Sequence, residues 1–287
     1  MPFFLPILLQ KLDPEIEAVM DRSRRQKQEE RAAAAAPKAT PAPAREDGKI
    51  PVPAKYAATF QACLDQAIES PDDGIAFAQK WRIEGGSYYA RHCMGFAYAR
   101  AERWTPAIVA FEQAAEEAER GGEMVEAARL WAQAGNAAMA SGDLPKARGD
   151  FDAALARGLP DGMEKGEVHL DRARALVALN DPSGARDSLD IALVQAPKDP
   201  LAWLLSATLA RRTGEMSLAQ AHIARAVQLS PDDAAVALEE GNIAVLTDHA
   251  DVARSAWDRA VKLSPDSPAG KAAADNLSRL PPPKPAP

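Results

Sequence analysis

The side chains best suited to chemistry in this chain are two cysteines, Cys63 and Cys93, and four histidines, His92, His169, His222 and His249. Together with nearby acids they could in principle supply a nucleophile and base, or ligands for a metal. Their spacing argues against both. His92 directly precedes Cys93, and adjacent residues on a helix point about 100° apart. His169 and Asp171, in Glu167-Val168-His169-Leu170-Asp171, also diverge, and His222 and His249 fall in separate segments. No phosphate-binding glycine loop, paired-histidine zinc motif or nucleophile elbow is present. No catalytic residue, metal ligand or cofactor is therefore expected, and the chain reads as a non-enzyme.

The elements that carry these residues come from a repeat. A small-residue pattern recurs at Ala107, Ala147, Ala185, Ala219 and Ala253, with gaps of 40, 38, 34 and 34. Four residues after each comes a bulky side chain (Phe111, Phe151, Leu189, Ile223, Trp257), and three further on another alanine (Ala114, Ala154, Ala192, Ala226, Ala260). Twelve residues before each marker stands Gly95, Gly135, Ala173, Ala207 or Gly241. Each unit predicts a helix A, a short turn, a helix B with one apolar stripe, and an exit that Pro197, Pro231 and Pro265 stop in the last three. Gly142-Asp143 and Gly214-Glu215 suit the end of helix A, whereas the turn at Asn180-Asp181-Pro182 lacks its glycine. The longer periods imply extended B helices or loops near Gly121-Gly122 and Gly158-Leu159-Pro160. A fixed period of this length means a stacked array, in which each unit buries its apolar face only against its neighbours.

At these residues the chain resembles the tetratricopeptide repeat family, in a bacterial form. The match is strongest from Pro200 to Pro231, where Trp203, Ala207, Gly214, Ala219, Ile223, Ala226 and Pro231 fall at family spacing. The resemblance implies an all-α fold, a right-handed α-solenoid of stacked antiparallel helix pairs. The expected organisation is a linker-like segment at 1–54, a solenoid over 55–280 and a proline-rich tail at 281–287. The solenoid divides into a degenerate first pair at 55–84, repeats near 88–121, 128–160, 166–197, 200–231 and 234–265, and a solvating helix at 267–280. Cys63 and Cys93 then fall on successive A helices. A disulfide needs α-carbons within about 7 Å, and packed helices run about 8–10 Å apart. Two buried thiols packing as small apolar groups are therefore expected, although an exported protein could bridge them.

The family lines its concave face with helix A, so the resemblance also implies a partner-binding set. It comprises Tyr89, His92, Phe96 and Arg100; Arg129, Gln133 and Asn136; Asp171 and Arg174; Thr208, Arg211 and Arg212; and Glu239 and Asn242. Asn136 and Asn242 stand where family members often hold a peptide backbone, since a side-chain amide offers a donor and an acceptor. The arginines could fork onto carboxylates. Ala132 and Leu170 occupy places where a chaperone-tail clamp would need lysine, which argues against recognition of that carboxylate tail. The implied partner is a protein or peptide.

The net charge of -7 and pI near 5.3 argue against nucleic acid as the partner. The run Arg22, Arg24, Arg25 and Lys27 is followed at once by Glu29 and Glu30 and reads as a solvated helix. No transmembrane segment is expected. Phe3-Phe4-Leu5-Pro6-Ile7-Leu8-Leu9 lacks a basic leader and is far short of the roughly 20 apolar residues of a span. It is open to reading as a mis-started secretory signal, a docking peptide or a plain terminus. Cytoplasm is the preferred compartment and periplasm the alternative. The functional expectation is an interaction scaffold; the alternative is an accessory subunit of a cell-envelope or export assembly, attached peripherally through residues 1–54.

Overall fold

A computed structural model describes residues 52–281, which form thirteen α-helices and no strand. The apolar run at Phe3–Leu9, the basic run, most of the linker-like segment and all but the first residue of the proline-rich tail lie outside the described residues. The helices group into two compact units, one ending at Pro197 and the other starting, among the described residues, at Lys198. The first unit holds α1 (Ala54–Glu69), α2 (Pro71–Ile83), α3 (Ser87–Arg100), α4 (Trp104–Arg120), α5 (Met124–Ser141), α6 (Leu144–Ala156), α7 (Met163–Ala178) and α8 (Pro182–Gln195). The second holds α9 (Pro200–Arg212), α10 (Met216–Leu229), α11 (Ala234–Leu246), α12 (Ala250–Leu263) and α13 (Pro268–Arg279). Within each unit every helix packs on the next in sequence, and odd-numbered helices, the A helices, also touch one another.

Size matching between the two helices of a pair explains the repeat. The ring of Phe111 in α4 lies against Gly95 of α3, and Phe151 of α6 lies against Gly135 of α5. Trp257 of α12 meets Gly241 of α11 in the same way. Each pair is sixteen residues apart, as are Ala173 with Leu189 and Ala207 with Ile223. Where helix B offers an aromatic ring, helix A offers glycine; where it offers an aliphatic chain, helix A offers alanine. Phe151, Leu189, Ala173 and Ala207 are fully buried, so neither partner has spare volume.

The turns inside the pairs share one geometry. Gly142 and Gly214 adopt φ of 83° and 82°, and the corresponding positions in the other three repeats, Glu102, Asn180 and Asp248, adopt φ of 56°, 59° and 62°. In each turn the following N–H reaches back to a helix carbonyl: Arg103 to Tyr98, Asp143 to Ala138, Asp181 to Leu176, Glu215 to Ala210 and His249 to Ala244. The glycine missing before Pro182 is thus replaced by Asn180, because asparagine tolerates the left-handed region better than most residues. Six of the thirteen helix starts are capped by a carboxylate or hydroxyl, including Asp143 on Lys146 N–H at 3.2 Å and Asp233 on Ala235 N–H at 2.7 Å. Of the two longer periods, the first is absorbed by the 17-residue α4 and the 18-residue α5, and the second by the 16-residue α7 and the loop that precedes it.

The expectation of two free thiols is corrected. Cys63 of α1 and Cys93 of α3 form a disulfide, with α-carbons 6.2 Å apart. Axis separation is a poor guide to that distance, because facing α-carbons each stand about 2.3 Å off their axes toward one another. Helices about 8–10 Å apart can therefore bring two such positions within bridging range. α1 also lies close to α2: Ala67 sits against Gly74, where an added Cβ would lie 2.5 Å from the Ala67 backbone.

Gly135→Ala should separate propensity from packing. The change gains about 0.5–1 kcal/mol of helix propensity. It also places a Cβ 2.7 Å from the Phe151 ring, an overpacking that costs about 1–3 kcal/mol. A net loss of about 1–2 kcal/mol is expected in urea unfolding, and adding Phe151→Leu should cost much less in this background than in the parent. Strict additivity of the two changes would rule out the ring-on-glycine account.

Candidate functional site

The residues predicted for a partner lie on the A helices, but many are engaged within the stack. Arg129 of α5 forks onto Glu164 of α7 through Nε at 2.5 Å and a terminal nitrogen at 3.1 Å, with Glu126 at 3.1 Å on its other nitrogen. Glu164 chiefly, with Glu126, holds this guanidinium above even its ordinary high pKa. Gln133 of α5 meets His92 Nε2 of α3 at 3.1 Å. Arg100 of α3 donates to the Ile68 carbonyl of α1 at 3.2 Å. Asp171 and Arg174 of α7 pair with each other at 2.8 Å.

The second unit repeats the theme. Arg211 of α9 donates to Glu239 of α11 at 2.8 Å, and Asn242 Nδ2 donates to the same carboxylate at 3.2 Å. Asn242 Oδ1 accepts from Trp257 Nε1 at 3.1 Å and from Asn276 of α13 at 3.0 Å. Burial pushes the Glu239 carboxyl above the ordinary range against the pull of Arg211. This polar ladder between A helices carries no sequence signature beyond a polar residue on helix A, so the sequence reading could not separate it from a binding set.

Five predicted residues are turned into the stack rather than toward a partner, among them Glu239, 2% exposed in the network above. Tyr89 is 5% exposed, its hydroxyl accepts from the Tyr88 hydroxyl, and the rings of Tyr56 and Phe60 cover it at 5.0 and 5.7 Å. Phe96 packs on the Ala67, Ile75 and Ala97 core. Thr208 is buried and donates to Leu204 in its own helix, and Asn242 is buried in the network above. The physical reason is shared: Tyr89 and Phe96 lie three and four residues from His92, Thr208 three from Arg211 and Asn242 three from Glu239, so each is on the helix face that meets a neighbouring A helix. Arg212 and Arg100 remain exposed, and Asn136 is half-buried. Asn136 stands out because its side-chain amide has no partner among the described residues.

Buried titratable groups are structural here. Among the described residues no three His, Cys, Asp or Glu side chains gather as a metal site. Desolvation lowers His92 and His169 to about 4, with Arg172 and Lys165 adding to the effect at His169. Asp150 of α6, 2% exposed, is pushed up to about 6 by burial even though Lys146 lies 3.0 Å away. The two effects oppose each other in pH. A histidine with a depressed folded pKa gives stability that is present above about 6.5 and lost as pH falls toward 4. A carboxyl with a raised pKa does the reverse, adding stability as pH falls through 6. The two histidines are opposed by two raised carboxyls, Asp150 and Glu239, so substitution is what isolates the histidine loss from pH 6.5 to 4. His169→Gln should remove up to about 3 kcal/mol of that loss, read from urea midpoints across the range; an unchanged pH profile would refute burial of the neutral ring.

The similarities to known proteins agree with this geometry. Residues 170–234 match the model of the tetratricopeptide repeat family. No curated protein matches the sequence. Among solved structures, PilF of Pseudomonas aeruginosa is similar at a TM-score of 0.60 and 15% identity, covering 77% of this chain and 99% of its own. MamA of Desulfovibrio magneticus RS-1 is similar at 0.54 and 17%, covering 62% and 95%. YrrB, described as a TPR protein with an unusual peptide-binding site, is similar at 0.51 and 19%, covering 65% and 91%. No helix among the described residues is long and apolar enough to cross a membrane. With the glycine–ring pairs, the shared turn geometry and these likenesses together, residues 170–234 are tetratricopeptide repeat and the described helices share the fold of tetratricopeptide-repeat structures.

Proposed function

We propose that this chain is a non-catalytic interaction scaffold that holds an extended or helical segment of a partner protein along its A helices. The observation that carries the reading is Asn136. Its amide lies one turn beyond Gln133 and two beyond Arg129 on α5, yet the other two are tied to His92 and Glu164 and it is not. A solvent-accessible donor and acceptor on a rigid helix, flanked by side chains whose rotamers are locked, is suited to a peptide backbone. The likeness of the fold to YrrB, itself a protein with a peptide-binding site, supports the same reading.

Asn136→Ala is a cleaner probe than reversal of Arg129. An acid at 129 would meet Glu126 and Glu164 with no cation between them and would disrupt the stack itself. With the full-length chain as bait for in-cell crosslinking, Asn136→Ala should lower recovery of the specific partner at least tenfold while leaving helicity and melting unchanged. Equal recovery by both baits would place binding elsewhere.

A second reading, an accessory subunit of an envelope or export assembly attached through residues 1–54, draws support from the Cys63–Cys93 bridge. Such bridges persist mainly in oxidising compartments. Fractionation tests it: full-length protein should co-sediment with membranes, and a chain starting at Val52 should not. Full-length protein found wholly in the supernatant would remove this reading.

A further inference from the structure

The weakest attachment among the helices of the first unit is that of α1. Only Cys63 and Ala67 of its sixteen residues are fully buried, whereas α3 buries six of fourteen and α5 eight of eighteen. The residue before its first turn, Pro53, supplies no side-chain cap, and no acid sits in that turn. Helices of this length are marginal on their own. What α1 does contribute is a roof of rings: Tyr56 lies 6.3 Å from Trp81 and 5.0 Å from Tyr89, and Phe60 lies 5.1 Å from His92. Beneath it, Tyr89 is 5% exposed and Trp81 8%.

We propose that the Cys63–Cys93 bridge is a redox-set latch that holds α1 over this aromatic face. In the bridged state the face is covered; in the dithiol state α1 opens and uncovers Trp81, Tyr89 and His92. The latch closes by thiol–disulfide exchange. The two thiols lose two protons and two electrons to an oxidant disulfide, one sulfur–sulfur bond forms between Cys63 and Cys93, and the oxidant leaves as two thiols. Opening is the reverse, with a dithiol reductant oxidised to its disulfide. Both cysteines are fully enclosed, so a reductant reaches them only when α1 lifts, and the closed state is long-lived once made. The loop that the bridge closes spans a sequence separation of 30, enough to favour the closed form by roughly 100-fold or more.

Hydrogen exchange read by mass spectrometry on the full chain tests the latch. The bridged protein is compared with protein reduced in mild urea and returned to buffer, and with a Cys63→Ala, Cys93→Ala variant. Amides of 54–69 should exchange on the order of 100-fold faster without the bridge, while those of 124–156 keep their rates and certify that the rest is folded. Unchanged exchange in 54–69 would show that α1 needs no latch. Equal acceleration in both segments would show that the bridge supports the whole unit instead. Acid-quenched cells labelled with a maleimide after denaturation supply the second arm: unlabelled cysteines show the latch closed in the cell, and labelled thiols under all growth conditions would overturn it.

Discussion

The contact on which this structure depends is a flat ring or branched chain of helix B resting on the backbone of helix A. Its geometry allows no slack. At Gly135 a single methyl would stand 2.7 Å from the Phe151 ring, and interiors packed like organic crystals do not absorb such an intrusion. The volume is instead shared between the two partners, so that glycine meets phenylalanine or tryptophan and alanine meets leucine or isoleucine. The left-handed turn residue five positions before each marker alanine then sets the register in which the two faces meet.

Apolar packing fixes each pair, and polar contacts tie successive A helices. Arg129 with Glu164, Gln133 with His92, Arg211 with Glu239 and Asn242 with Asn276 all join one A helix to the next within a unit. These groups are half-buried or buried, where charge-assisted and bidentate bonds are stronger than on an open surface. Their engagement narrows the chemistry available to a partner. A binding surface on such helices consists of the side chains that the stack leaves over, which is why Asn136 and not Asn242 carries the functional reading.

Some features were legible in the sequence because they rest on local rules. The five markers and their bulky followers predicted the pairs, and the prolines and glycines predicted where helices stop. The turn at Asn180-Asp181-Pro182 is legible even without its glycine, and Asn180 takes the left-handed position there because asparagine also adopts it. The bridge was missed because axis spacing was taken for α-carbon spacing. Tyr89, Phe96, Thr208 and Asn242 were placed toward a partner because a helical stripe gives direction to within about one residue, and one residue on a helix is about 100°.

By itself the sequence determined the period, the all-α class and the pairing of helices, while the match of ring to glycine within a pair is seen in the structure. The first three are encoded over sixteen to forty residues by periodicity, steric volume and turn chemistry, which act along the chain. Only the tertiary structure decided that Cys63 meets Cys93, that Arg129 spends its fork on Glu164, and that Asn242 is enclosed while Asn136 is not. Those outcomes turn on ångström-scale distances between helices roughly thirty residues or more apart, where a polar side chain bonds to whichever group the packing brings within reach.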